Sequence, residues 1–463
     1  LSLERLESHA PVARLLPALD DRSLFDTGQA VVARAPGRLD VMGGIADYSG
    51  SRVCEMPLAV AAAVALQRRD DGQVVCRSMQ ADRDVSLPMS IVSAVEPVSI
   101  REAVAPEDAW ALYAAGCLWW LLQQGVEAEG VSICIDSDVP LGGGVSSSAA
   151  VEVATMTAMC RLLGVAMDAL PLAVACQAVE NVVVGAPCGV MDQVTSCMGE
   201  AGRMLEILCQ PASGNGDGHD ALPAQVLGAI DVPAGYAFVG IHSGVRHEVS
   251  GDPYTDTRVA AFMGQKILST LDTDDLTRGW LANVDAQRYD RELRQQLPEQ
   301  MSGKDFVVSY GLTHDTVTAV NPAKTYGVRA ATDHHVHEPK RVDAFVSLMK
   351  QAGDEDAMAE AGRLMLASHA SYGSNAKLGH TMTDALVEMM MDVGREGGCY
   401  GAKITGGGGG GTVAALIRDD DATRQRLHDV RRQYEEDSGR QTLWFDGTSP
   451  GAAALGAVTV SVS

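Results

Sequence analysis

The sequence predicts a mixed α and β protein of more than one domain. Short β-rich runs alternate with longer helical runs over 463 residues, more than one average domain needs. The stretch SGNGDGHD at 213–220 is the most linker-like in the chain, and a boundary is placed close after it, dividing 1–225 from 226–463. Each part carries a glycine-rich turn between regular elements, at 142–144 and at 406–411.

The elements follow in order. Val31 to Ala35 is a short apolar strand expected to end at Pro36-Gly37. Ala109 to Leu122 is uncharged but shorter than the ~20 residues a bilayer requires, so it reads as a buried helix. Val131 to Asp136 places Val131, Ile133 and Ile135 on one face, the period of a half-buried strand. Ser146 to Leu163 reads as a helix with a serine-rich start and Gly164 as its stop. Arg203 to Cys209 and Tyr236 to His242 are further strands. From about Leu268 to Val328 the pattern is irregular and polar, with helical pieces. Helical periodicity returns from Arg341 and leads to a strand–loop–strand at Gly401 to Ile417.

Hydrophobic residues make up 46% and charged residues 21%, a globular balance. A net charge of −24 repels nucleic acid and anionic membrane surfaces, so neither is expected as a partner. It leaves phosphate ligands open, because backbone N–H groups and a metal can hold them. The ten cysteines are scattered without CxxC pairs, as buried thiols in a reducing compartment would be. LSLERLESHA at the start has charges where a signal peptide needs an apolar core, and a cytoplasmic location is the expectation.

Four segments carry chemistry. PLGGGVSSSAA, 140–150, joins a tight glycine turn to a helix start whose first N–H groups lack intrahelical partners, a cradle for an anion. It matches neither GxxxxGK[ST] nor GxGxxG, and a simple capped helix is the competing explanation. ITGGGGGG, 404–411, has strand-like flanks and reads as an ordered turn close to a ligand. RAPGRLDVMGGIADYSG, 34–50, supplies Arg38 and Asp47, which fit either a surface ion pair or a polar pocket. ENVVVGAPCGVMDQVTS, 180–196, supplies Glu180 and Asp192, suited to holding Mg²⁺ or orienting a hydroxyl, or alternatively to ending and capping helices. His334, His335 and His337 read as loop or capping residues, since their spacing fits no usual zinc set. Met389 to Met391 read as core filling.

In this order the four segments resemble the GHMP small-molecule kinases, and within them the galactokinases. PLGGGVSSSAAVEVA resembles the phosphate-binding motif, ARAPGRLDVMGGIADYSG the sugar signature, PCGVMDQ the catalytic-aspartate stretch and GAKITGGGGGG the third motif. The resemblance implies an α+β two-domain fold, with an N-terminal ribosomal-S5-like α/β domain, a C-terminal ferredoxin-like α+β domain and the active site in the cleft between them. It implies ATP and Mg²⁺ as cofactors and a monosaccharide as substrate. Asp192 takes the catalytic place with Arg38 as its partner. Asp47, Gly189 and Tyr254, with Gly44 and Ile45, fall at the sugar. Gly142, Gly143, Gly144, Ser146, Ser147 and Ser148 would wrap the ATP phosphates, with Trp110 and Tyr113 at the border of the nucleotide site and Arg246 near the phosphates. Glu180 matches the magnesium glutamate, with Ser147 of the serine run assigned as its partner.

Where the galactokinase signature reads Gly-Glu-His-Thr-Asp, this chain has Gly43, Gly44, Ile45, Ala46 and Asp47. The resemblance places the absent Glu and His at the C6 hydroxymethyl of galactose. GGIADYSGS, GKDFVVSYG and SYGSNAKLGHTMTDALV resemble plant-type L-arabinokinases more, which makes L-arabinose the expected substrate, with D-galactose the alternative. A non-catalytic sugar and ATP sensor, a decarboxylase on the same fold and a purely structural use of the glycine loops are the other readings.

Overall fold

A computed structural model describes residues 3–81, 83–212, 222–246, 252–271, 276–351 and 353–463. The linker expected at 213–220 lies outside the described residues.

The fold grows from one long strand. β1 (Gly28–Met42) pairs antiparallel with β2 (Arg52–Arg68) along most of its length. It does not stop at Pro36-Gly37, as the sequence implied. A register shift between Pro36 and Arg38 absorbs the residue that has no N–H to give, and pairing resumes. Gly37 is needed there because a Cβ would lie 2.7 Å from the Val145 carbonyl oxygen. The bulge carries Arg38 directly beneath the glycine loop, where its amide donates to the same carbonyl at 3.1 Å.

Around this pair forms an eight-stranded sheet. β3 (Gln73–Ser78), β4 (Val85–Pro88) and β5 (Val131–Ser137) extend one side, with β3 and β5 parallel. β6 (Arg203–Leu208) and β7 (Gln225–Asp231) branch from the start of β2. The helices Trp110–Gln123, Ser147–Leu163, Ala169–Val179 and Met191–Met198 cover one face and supply a large apolar core rich in Val, Ala and Leu.

β8 (Tyr236–His242) begins a second sheet. The short pair β9 (Met301–Ser302) and β10 (Thr325–Tyr326) lies apart from it. β11 (Cys399–Ile404), β12 (Thr412–Arg418) and β13 (Leu443–Phe445) complete an antiparallel order β11-β12-β8-β13, with helices Thr381–Gly397 and Asp421–Ser438 contributing to its core. The last strand, β14 (Ala457–Val462), returns to pair with β1, Gly28 opposite Val462. This is the two-domain α+β architecture expected, but a cut at residue 225 does not follow the sheets. β7 still belongs to the first sheet and β14 comes back to it, so the second domain is inserted between them. Leu39, Val41 and Met42 of β1 share one apolar cluster with Phe238, Phe345 and Leu416, which joins the two domains.

The polar stretch before Val328 holds the helical pieces its pattern suggested, among them Leu281–Asn283 and Gly303–Tyr310. Helices Asp252–Leu271 and Val328–Met349, with the shorter helix Gly303–Tyr310 and turns between them, bury Tyr254, Phe262, Tyr289 and Phe306 in one cluster with Ile45 and Tyr48. His334 and His335 are not loop or capping residues; they lie fully buried within the helix Val328–Met349. His334 Nδ1 bonds Ser371 Oγ at 2.9 Å, and His335 bridges Ser49 Oγ and the Tyr48 hydroxyl, each at 3.0 Å. Burial depresses the pKa of both, so neutral rings suit these hydrogen bonds. All ten cysteines are free thiols, nine of them buried. No helix among the described residues is long and apolar enough to cross a membrane.

Candidate active site

A cleft of about 1120 Å³ runs between the two sheets, and almost every residue singled out in the sequence reaches it. Its floor is an ion pair. Arg38 donates from Nε and Nη2 to the two carboxylate oxygens of Asp192 at 2.8 and 2.9 Å, a bidentate clamp. Its Nη1 donates to the Gly144 carbonyl at 2.8 Å, tying the pair to the glycine turn before Ser147. Asp192 stands in the first turn of the helix Met191–Met198 and keeps 22% of its side chain accessible, whereas Arg38 is buried. Burial opposes the guanidinium charge, but Asp192, Glu55 and Asp40 together hold its pKa above the usual value. Neither the surface-pair nor the helix-capping explanation survives this geometry.

The glycine turn is shaped for contact. Gly142 and Gly144 adopt positive φ of 70° and 72°, and Ser146, at φ 62°, is a strained non-glycine residue at the N-cap of the helix Ser147–Leu163. Its hydroxyl is buried without a partner and makes no capping bond. A hydroxyl left so beside open helix N–H groups fits a ligand's oxygen atoms. Gly142, Gly144, Ser146, Ser147 and Ser148 line the cleft. Gly143 does not; it packs on Pro140 and gives its carbonyl to Thr412 Oγ1 at 2.7 Å.

That contact explains the second glycine run. Gly411 and Thr412 press on Gly143 and Gly144, and a Cβ on Gly406 would lie 2.9 Å from Arg38 Nη2 and 3.0 Å from the Gly144 carbonyl. The loop therefore acts as backing that lets the Gly142–Gly144 turn and Arg38 sit close together, and its Gly407 also reaches the cleft.

Glu180 opens the π-helical turn Glu180–Val184 that follows the helix Ala169–Val179, an irregularity that often marks functional sites. The turn aims the carboxylate inward. Burial first, and the Asp192 charge second, push its pKa up to about 7. Gln193 Nε2 donates to it at 2.6 Å and also faces Glu152 at 3.3 Å. The hydroxyl bonded to Glu180 belongs to Ser148, not to Ser147. On a helix the two serines project about 100° apart, and Ser148 occupies the face toward Glu180. Among the described residues no cluster of three His, Cys, Asp or Glu side chains could hold a metal alone. A buried carboxylate beside a hydroxyl nevertheless fits Mg²⁺, a hard cation that takes few protein oxygens and fills its shell with water and phosphate.

Asp47 closes the other end. It is buried in the 3-10 turn Gly44–Ser49 and accepts from its neighbour Tyr48 N at 2.6 Å. Burial and then Asp192 raise its pKa to about 7. Gly189 lies against it so closely that any side chain there would overlap the carboxylate. Ile45, Gly189 and Tyr254 line the same end of the cleft. Gly44 does not reach it; its φ is 47°, and a Cβ would collide with the Tyr372 hydroxyl. Trp110 and Tyr113 line the same cleft with Val104, Ala105 and Pro106, and His242 and Arg246 border it as well.

The sequence patterns did not single out the supports. Glu55 lies fully buried 3.3 Å from Arg38 Nε. Asp40 pairs with Lys403 at 2.6 Å, both fully buried, and accepts from the amides of Gly44 and Gly406. Arg258 clamps Asp315, donates to the Cys188 carbonyl at 3.2 Å and stacks over the Tyr48 ring. Asp40 and Lys403 fall within the first and last motifs, a signal that spacing alone could not separate from ordinary strand residues.

Residues 113–200 match the GHMP kinases N terminal domain, 345–436 the GHMP kinases C terminal, and 22–68 the galactokinase galactose-binding signature. A galactokinase from Streptomyces coelicolor is 30% identical over 83% of this chain and 84% of its own length. The chain belongs to the GHMP kinase family. An L-arabinokinase of Arabidopsis thaliana is 35% identical over 92% of this GHMP kinase, which spans 46% of that protein's length. In fold, it matches Lactococcus lactis galactokinase complexed with galactose at a TM-score of 0.72 and 21% identity, over 96% of this chain and 99% of that one. The Methanococcus jannaschii mevalonate kinase follows the same fold at a TM-score of 0.55 and 14% identity, over 90% of this chain and 98% of that one.

Proposed function

We propose that this protein is an ATP- and Mg²⁺-dependent sugar 1-kinase acting on L-arabinose to give L-arabinose 1-phosphate and ADP. One observation carries the reading: the clamped Asp192 opens into a cleft shared by the serine-led loop and by Asp47. In the reaction the anomeric oxygen bonds to the γ-phosphorus, the bond to the ADP oxygen breaks, and the hydroxyl proton passes to Asp192. Because phosphoryl transfer goes through a loose transition state, Asp192 works mainly by position, worth about 10²–10⁴ in rate. Arg38 keeps that carboxylate aimed and adds positive charge next to the transferring group. Loop amides from Gly142 to Ser148 hold the phosphates, and the cleft beside Trp110 takes the base. Glu180 and Ser148 would hold Mg²⁺, which when bound neutralises phosphate charge.

L-Arabinose is favoured over other sugars by two things. The Arabidopsis relative bears that name over nearly the whole of this chain. Asp47 and the apolar Ile45 both line the cleft, and Ile45 stands at a position the resemblance puts beside the sixth carbon of galactose. The absence of a basic residue at 43–46 disfavours a uronic acid. A second reading, D-galactose as substrate, is favoured by the signature match at 22–68.

A coupled ADP-release assay over L-arabinose, D-fucose and D-galactose, with ³¹P NMR of the product, tests both. The expected order of kcat/KM is L-arabinose first and D-galactose last, with phosphate on the anomeric oxygen. Equal efficiency on D-galactose hands the protein to the second reading, and no turnover on any monosaccharide removes both.

A further inference from the structure

Tyr372, on the helix Glu355–Ser374, touches no part of the cleft, yet it holds the segment that shapes the sugar end. Its hydroxyl accepts from the Ile45 amide at 2.9 Å and donates to the Gly406 carbonyl at 2.9 Å. The ring is fully buried, with Lys403 Nζ 5.4 Å over its face and His334 edge-on at 5.2 Å. Held on these sides, it cannot withdraw to make room. Its hydroxyl occupies the space a side chain on Gly44 would need. That corner is thereby left to the apolar Ile45, fixed in place by its own backbone.

We propose that Tyr372 is the residue that sets the sugar specificity of this site, by pinning Ile45 so that the pocket ends before an exocyclic hydroxymethyl group. This rests on the sugar-kinase reading above. A six-carbon sugar of the same ring configuration must either displace Ile45 or leave its extra hydroxyl unpaired against it, and sites discriminate strongly on unpaired polar groups. Tyr372→Phe keeps the ring and removes both hydrogen bonds, which frees the Ile45 segment.

The test compares wild type and Tyr372→Phe in kcat/KM for L-arabinose, D-fucose and D-galactose, with thermal denaturation of each protein alongside. D-Fucose carries a methyl where D-galactose carries the hydroxymethyl, so it separates space from hydrogen bonding. The expected result is an L-arabinose to D-galactose ratio at least about fivefold lower in Tyr372→Phe, with D-fucose improving too. Should Tyr372→Phe fold poorly, Tyr372→Leu combined with Gly44→Ser reads the same ratio in a repacked corner. An unchanged ratio in a folded variant, or an equal loss on all three sugars, overturns the proposal. A wild type inactive on every sugar overturns the kinase reading itself, and shows before any variant is made.

Discussion

Replacing Asp192 with Asn separates position from charge at the floor of the cleft. Asparagine keeps the shape and one acceptor but turns an N–H₂ group toward the guanidinium. The change forfeits one of the two bonds at 2.8 and 2.9 Å, while Glu55 remains as a countercharge 3.3 Å from Arg38. The structural cost is therefore that of a single charge-assisted hydrogen bond, about 1.5–3 kcal/mol. Relief of Asp47 and Glu180, both of which feel the Asp192 charge, offsets part of it. The chemical cost is larger. Loss of the proton acceptor and of the aimed carboxylate lowers kcat by about 10²–10⁴, equivalent to about 2.7–5.5 kcal/mol of barrier. Asp192→Asn should thus fold and bind sugar and ATP·Mg²⁺ by calorimetry with near-normal affinity, while ADP release at saturating substrate collapses. Turnover within about tenfold of wild type would remove Asp192 from the proton-transfer role.

Glu180 links the site to pH. Its pKa is about 7 in the folded chain against the ordinary 4.5, so between those values the folded state holds a proton that the unfolded state has released. Its contribution to stability is therefore present at low pH and lost as pH rises through about 7. Without ligands, Glu180→Gln should gain on wild type by about 1.4 kcal/mol per pH unit across that window in urea unfolding, and parallel curves would contradict the assignment. If Glu180 holds Mg²⁺ as proposed, the same proton competes with the metal, and ATP·Mg²⁺ should bind wild type more weakly below about pH 7. Lys403→Met strands Asp40 without its countercharge in a fully buried place and should cost about 3–5 kcal/mol in urea unfolding, most of it recovered by adding Asp40→Asn. A loss under about 1 kcal/mol would show that water or another donor satisfies Asp40.

Much of the site was legible because its chemistry resides in contiguous motifs. The glycine turn before Ser147, the Glu180 to Asp192 stretch and Arg38 each announced an anion, a carboxylate or its partner, and the fold brings them to one cleft. What stayed hidden depends on pairing across the chain. Asp40 meets Lys403 from 363 residues away, and Tyr372 meets Ile45 from 327, separations no local pattern encodes. Gly44 was assigned to the sugar through its place in the signature, yet its backbone turns it toward Tyr372. The strand through Pro36-Gly37 was cut short because proline reads as a stop, when a bulge lets the ladder continue. His334 and His335 looked polar and loop-like, since the serines and tyrosine that satisfy them come from other segments.

The return of β14 to the edge of β1 has a mechanical outcome. The second lobe is strung between two crossings of the chain instead of hanging from one, and the Leu39, Phe238 and Phe345 cluster glues it to the first. The cleft is accordingly bounded by two lobes that share an apolar seam as well as two passages of the backbone.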